Sequence, residues 1–373
     1  INHLHVIEKR LRDPTIKVHG NYIDQIMRRV RFYITKIIFL NNIKQTKSIN
    51  LINSGVANYI NKKYYDIVNL HWIGCETISL GEIRKINKPI VWTLHDMWPI
   101  SGIYHYNVDK KYFNKECKNI YKKNYFNFLD NITIKRKQAL FKEKKIHLVS
   151  PSKWLLDEAK KTKLPFGKME VIPYPINTNF FKKNKNIKAL KFKYKIPDNK
   201  KILLYSSNVL NEKRKGSKII LEMIKNNFIK DNNYIIVMLG KNNNFIKDQF
   251  NPDLKLLGCI NDYALIKEIY SVADVLLFPS IIDNFPNTIL EAMSCSLPCV
   301  AFDCFGMKEM IHHKKDGYLA KPYLVNDFQR GIKYVLSNKE KLSLIANKKI
   351  ISNFSYKTIN LKYLNFFKKI ISK

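Results

Sequence analysis

The chain holds 373 residues, with 66 Lys and Arg against 30 Asp and Glu and a formal charge of +36. Its 46% apolar and 12% aromatic content can build a core and excludes a disordered chain, while 12 glycines and 13 prolines exclude collagen-like and low-complexity classes. At roughly 150 residues per domain the length suggests two domains or one large one, and no stretch approaches the roughly 18 to 20 uncharged apolar residues of a membrane-spanning helix.

Ile23, Ile26, Met27, Val30, Ile34, Ile37 and Ile38 fall on one helical arc, with Arg28, Arg29, Arg31 and Lys36 outside it. Such a basic amphipathic helix can rest on an anionic membrane, or can pack its apolar face on a sheet. Short apolar runs then alternate with helical patterns. Residues 66–70 (DIVNL), 89–94 (PIVWTL), 147–151 (HLVSP) and 171–173 read as strands, and SKWLLDEAKK as a helix with Ser152 as its N-cap. The second half repeats the rhythm with strands at 202–206, 234–239, 254–257, 275–279 and 298–302, continuous enough in apolar character to be buried and parallel. Helices are expected near 216–229, 263–272, 288–296 and 323–337, with a last one after Tyr356. Strand, helix, strand over this length means an α/β fold of two doubly wound domains. Pro173 and Pro175 interrupt regular structure at the join, which gives domains over 1–172 and 173–350 and a C-terminal helical segment over 351–373.

Cys75, Cys117, Cys259, Cys295, Cys299 and Cys304 form no C-x-x-C pair and fit no zinc spacing, as in a cytoplasmic protein with reduced thiols. The basic residues are spread over both halves, whereas a nucleic-acid protein concentrates them on one face or tail. The Lys, Asn, Ile, Tyr and Phe excess is also what AT-rich coding produces. No nucleic-acid partner is therefore expected; phosphates and anionic lipid fit the charge. No G-x-G, D-x-D, H-E-x-x-H or G-x-S-x-G occurs, which argues against a dinucleotide fingerprint, a metal-holding pair and a serine nucleophile.

Three stretches carry candidate chemistry. In FPSIIDNFPNTILEAM (278–293) a strand feeds a polar loop and then a helix, with Asp283 in the loop and Glu291 in the first turn. The N–H groups of Asn287, Thr288 and Ile289 would face an anion, and the carboxylates could bind sugar hydroxyls. Thr288-x-x-Glu291 is equally a capping box, and local physics leaves both readings open. In SSNVLNEKRKGSKI (206–219), Arg214 and Lys215 could neutralise a leaving diphosphate or could merely be solvated. In VWTLHDMWPISGIYHY (91–106), His95 follows a buried strand, where a histidine can meet a sugar or be structural.

Together with NLHWIG (69–74), SPSKWL (150–155), VIPYPINTNFF (171–181) and DGYLAKP (316–322), these stretches run in the order found in glycosyltransferase family 4, which the chain resembles from about residue 65 to residue 340. Its capsule and colanic-acid-type members are the most similar. The resemblance implies the GT-B architecture, two Rossmann-like domains facing across a cleft, with the acceptor side in the N-terminal domain and the nucleotide-sugar in the C-terminal one. It implies a retaining transfer, without a bound metal or other cofactor, from a nucleotide-diphosphate sugar to a lipid-linked or oligosaccharide acceptor of a surface polysaccharide (capsule, exopolysaccharide or O-antigen). Such a protein works in the cytoplasm, peripherally on the inner face of the membrane.

Residue by residue, Asp283 and Glu291 occupy the family's E-x7-E, meeting donor-sugar hydroxyls and ribose. Arg214 and Lys215 match the basic pair on the diphosphate, with Asn287 and Thr288 at the phosphate through the helix start. His95 matches the histidine near the transferred sugar. The sequence departs from the pattern in carrying Asp rather than Glu at 283 and in retaining only Cys117 after HDMWP. Its opening INHLHV resembles the family's second strand, so the first strand and glycine-rich loop are expected before residue 1. A non-catalytic GT-B-like scaffold is the alternative from another class, and a GT-B nucleotide-sugar epimerase the alternative enzyme.

Overall fold

The structure, a computed structural model, describes residues 3–5, 16–18, 26–27, 29–30, 33, 47–106, 127–242 and 252–372. Cys117 and most of the expected amphipathic helix lie outside these residues; of its apolar arc, Ile26, Met27 and Val30 are helical and exposed. Among the described residues no helix is long and apolar enough to cross a membrane. The chain divides into two units, one of Ile1–Pro151, Leu155–Val171 and Asn365–Lys373, the other of Ser152–Trp154 and Ile172–Leu364.

The first unit holds β1 (His3–His5) paired in parallel with β2 (Ile16–Val18), and a parallel four-stranded sheet β3 (Val68–Leu70), β4 (Ile90–Thr93), β5 (Ile146–Ser150), β6 (Met169–Val171), in that order. β4 and β5 are buried at every position, as parallel strands covered on both faces must be. A capping box does form here, at Ser79: its Oγ accepts from the Glu82 N–H at 3.0 Å and its own N–H donates to Glu82 Oε2 at 3.2 Å, starting the helix Leu80–Lys85. The helix Asn127–Glu143 went unanticipated because its sequence is dominated by polar residues. It contributes Lys137, only 1% exposed, whose ammonium donates to the carbonyls of Trp98, Ser101 and Gly102 and so fixes the loop after β4. The last helix, Tyr356–Ile371, ends in this unit, where Lys369 pairs with Glu170 at 3.3 Å.

The second unit is built on β7 (Lys201–Val209), β8 (Tyr234–Lys241), β9 (Leu254–Gly258), β10 (Val275–Phe278), β11 (Cys299–Phe302) and β12 (Gly317–Ala320). All pairs are parallel and the order across the sheet is β12-β11-β10-β7-β8-β9. The chain lays down β7, β8 and β9 in one direction, then returns to place β10 on the other side of β7. That reversal between β7 and β10 is the topological switch point, where the loops leaving two adjacent strands part and leave room for a ligand. The core is continuous across the sheet, with Leu203, Ile236, Val275, Leu277, Val300, Phe302 and Phe328 fully buried.

Several expectations are corrected here. The helix expected over 216–229 is two, Ser217–Lys225 and Phe228–Asp231, because Asn227 takes a left-handed conformation at φ 58°. Glu291 is the fifth residue of the helix Asn287–Ser294 and so lies in its second turn. Strand β12 and the helix Lys339–Phe354 escaped sequence reading, the first because it is four residues long and opens on glycine.

Candidate functional site

The switch point brings the loops after β7 and β10 together. After β7 a short 3-10 turn, Lys213–Lys215, ends on Gly216 at φ 75°. After β10 the chain runs back under that turn, and the Ile281 N–H donates to the Arg214 carbonyl at 2.8 Å. Lys215 Nζ then donates to Asp283 Oδ2 at 2.6 Å, and Arg214 Nη1 lies 3.5 Å from the same oxygen while donating to the Ile282 carbonyl at 3.0 Å. Glu212 accepts from Arg214 Nη2 at 2.8 Å. Asp283 is 9% exposed. Burial alone pushes its carboxyl up, but the charges of Lys215 and Arg214 outweigh that and hold it below the usual carboxylate range. The two cations therefore sit as a pre-formed pair whose charge is already balanced by Glu212 and Asp283, so an incoming anion must compete with those carboxylates for bidentate or point contact.

Beside them the helix Asn287–Ser294 begins at Pro286 with no side-chain cap. The Thr288–Glu291 capping box, one of the two readings the sequence left open, does not form: Glu291 turns to Tyr270, whose hydroxyl donates to Glu291 Oε2 at 2.9 Å. Of the three N–H groups expected to face an anion, that of Ile289 is taken by the Pro286 carbonyl at 3.1 Å. Asn287, exposed, and Thr288, half-buried, remain at the helix start, where the dipole favours negative charge. Burial raises the Glu291 carboxyl above its ordinary value, partly offset by the Tyr270 hydrogen bond, and pushes the Tyr270 phenol well up. Sequence reading missed Tyr270, whose only signal was a polar tip in an otherwise apolar helical stretch.

In this arrangement Asp283 competes with any anion for Lys215. Asp283→Asn is expected to tighten binding of inorganic pyrophosphate by roughly tenfold at low ionic strength, by removing a charge that an incoming anion must displace. Titration calorimetry reads this directly; unchanged or weaker binding would show that Asp283 is no competitor.

His95 belongs to the first unit, two residues past β4. Its Nε2 lies 2.9 Å from His71 Nδ1, and burial lowers its pKa, with Asp96 opposing. Asp96, next in sequence, is used structurally: its oxygens accept from Trp72 Nε1 and the Trp98 N–H, both at 2.9 Å, and Oδ2 lies 2.6 Å from His105 Nδ1. His105 Nε2 in turn meets Ser48 Oγ at 2.8 Å. A small cavity of about 10 Å³ is lined here by Thr93, His95, Asp96 and His105, among others. The structure thus gathers Arg214, Lys215 and Asp283 into one cluster and places Asn287, Thr288 and Glu291 on the helix after it; His95 belongs to a histidine cluster of the first unit.

Residues 186–351, which include the switch-point loops and this helix, match the family described as Glycosyl transferases group 1. This stretch is a group 1 glycosyl transferase domain. The chain has relatives among curated proteins. One is UDP-Gal:alpha-D-GlcNAc-diphosphoundecaprenol alpha-1,3-galactosyltransferase of Escherichia coli, 30% identical over 141 residues, 36% of this chain and 36% of that one. The chain thus spans about a third of the length of that relative. Among solved structures, sucrose-phosphate synthase of Thermosynechococcus elongatus superposes with a TM-score of 0.67 at 16% identity, over 85% of this chain and 76% of that chain. Anabaena HepE in complex with UDP gives 0.63 at 16% identity, over 85% and 81%. These likenesses show the fold, two parallel-sheet Rossmann-like units of the GT-B kind.

Proposed function

We propose that the protein is a retaining glycosyltransferase that moves a sugar from a nucleotide-diphosphate donor to a lipid-linked acceptor in the assembly of a bacterial surface polysaccharide. The observation that carries this reading is the Arg214–Lys215 pair held at the switch point beside the uncapped start of Asn287–Ser294. A departing diphosphate is a charge that develops in the transition state, and fixed cations with helix N–H groups stabilise it without reorganising. In this reading Arg214 and Lys215 take the diphosphate, aided by the backbone at Asn287 and Thr288. Asp283 meets donor-sugar hydroxyls, Glu291 the ribose, and His95 the transferred sugar. The acceptor hydroxyl passes its proton to the leaving phosphate, so that neither a protein nucleophile nor a metal is required. The names of the Escherichia coli relative and of the Anabaena complex favour uridine diphosphate as the nucleotide and an undecaprenyl-linked acceptor. Such an acceptor would bring the protein to the inner face of the cytoplasmic membrane, where its excess of basic residues suits anionic lipid.

A thermal-shift screen against UDP, GDP, ADP and CMP tests the donor half of this reading. UDP is expected to raise the melting temperature by mass action, by an amount that grows with its concentration, and Glu291→Ala is expected to abolish most of the shift. No shift with any nucleotide, or one indifferent to Glu291, would refute the assignment.

A further inference from the structure

The polar side chains at the carboxyl ends of β3 and β4 form a directed chain of hydrogen bonds that ends on His95. Thr93 Oγ1 donates to Asn69 Oδ1 at 2.9 Å, across adjacent strands. That turns the amide nitrogen of Asn69 toward His71, with Asn69 Nδ2 lying 2.9 Å from His71 Nε2. An amide nitrogen has no lone pair to offer, so His71 Nε2 accepts. A neutral imidazole whose Nε2 is an acceptor carries its proton on Nδ1, and His71 Nδ1 therefore donates across 2.9 Å to His95 Nε2. The ring centroids lie 5.1 Å apart at 45°, a separation that fits an edge-to-edge contact through the two nitrogens rather than a stack.

From this polarity we infer that Asn69 and His71 are positioning residues that hold His95 as the Nδ1–H tautomer, so that His95 offers its substrate a hydrogen-bond donor and not a base. The inference rests on the reading of His95 as the residue at the transferred sugar. It explains why two histidines are placed at the ends of neighbouring strands: His71 spends the lone pair through which His95 would otherwise take a proton. A donor aimed at a sugar oxygen suits a reaction in which the acceptor's proton leaves with the phosphate. A competing base at that point would divert it.

The test is histidine-selective 15N NMR of the ligand-free full chain at about pH 8, above the usual histidine range of about 6.5. His95→Gln identifies the His95 resonances among the 9 histidines. Wild type is expected to show a single tautomer with the proton on Nδ1 of His95. His71→Phe should shift His95 toward the Nε2–H form, and Asn69→Leu provides the same reading should the first variant fold poorly. A His95 that is Nε2–H in wild type, or unchanged in both variants, overturns the relay. With UDP-galactose as donor, kcat should fall about tenfold in His71→Phe, the effect of one hydrogen bond. An altered tautomer with unchanged kcat overturns the role at the sugar while the relay stands. Since the spectra need no donor, a failure of the glycosyltransferase reading leaves them interpretable.

Discussion

Lys215→Ala is expected to lower kcat/KM by roughly 10²- to 10³-fold, the usual consequence of deleting one fixed donor from a site where negative charge develops. Two effects add. The ammonium that would meet the diphosphate is gone, and Asp283, which Lys215 contacts at 2.6 Å, loses its nearer counter-ion and keeps only Arg214 at 3.5 Å. A buried carboxylate stripped of its partner repels the incoming anion, so nucleotide affinity should fall as well as turnover. Lys215→Ala combined with Asp283→Asn should then bind UDP more tightly than Lys215→Ala alone, a coupling that a double-mutant cycle with calorimetry measures. Strict additivity of the two substitutions would contradict the direct pairing on which the site is built. Circular dichroism of each variant separates a lost contact from a lost fold.

Gly216→Ala is expected to cost about 3 kcal/mol of stability, with a fall in melting temperature of roughly 6–12 °C for a unit of this size. At φ 75° an L side chain is strained, and a Cβ at that position would stand 1.8 Å from the carbonyl oxygen of Pro279. Backbone meets backbone there, so no rotamer change can relieve the clash. The residue is also the end of the turn that carries Arg214 and Lys215, and its own N–H donates to the Lys213 carbonyl at 3.0 Å. Displacing it should therefore weaken nucleotide binding along with the fold. A melting temperature within 1–2 °C of wild type would mean that the β7 and β10 loops are not locked in the way the hydrogen bond from Ile281 to Arg214 implies.

The strands of the two larger sheets were legible wherever the sequence runs apolar without interruption, as in IVWT of β4, VLLF of β10 and CVAF of β11, because a parallel strand covered on both faces tolerates no polar alternation. The helix expected near 263–272 forms over Tyr263–Val272, and the structure shows what starts it: Asp262 accepts from the Ala264 N–H at 2.7 Å. The helix Asn127–Glu143 could not, because its packing rests on scattered positions such as Leu140 and Phe141 and on the buried ammonium of Lys137. Thr288-x-x-Glu291 has the spacing of a capping box, yet a buried tyrosine 21 residues earlier offers Glu291 a better partner. The box that does form, Ser79 with Glu82, lay in a stretch whose pattern promised nothing.

Composition, hydrophobic runs and ordered motifs determined on their own that this is an α/β chain of two Rossmann-like units, and which residue types were available for anion and sugar contacts. The reason is that local apolar pattern and turn chemistry act within a few residues of each position. Tertiary structure alone decided the pairings. It tied Asp283 to a lysine 68 residues away, gave Glu291 to Tyr270, spent Asp96 on Trp72, Trp98 and His105, and set the direction of the Thr93–Asn69–His71–His95 chain. Each of those bonds depends on which strands lie side by side, and strand order is fixed by how whole sheets bury their faces, a property that no local stretch of sequence carries.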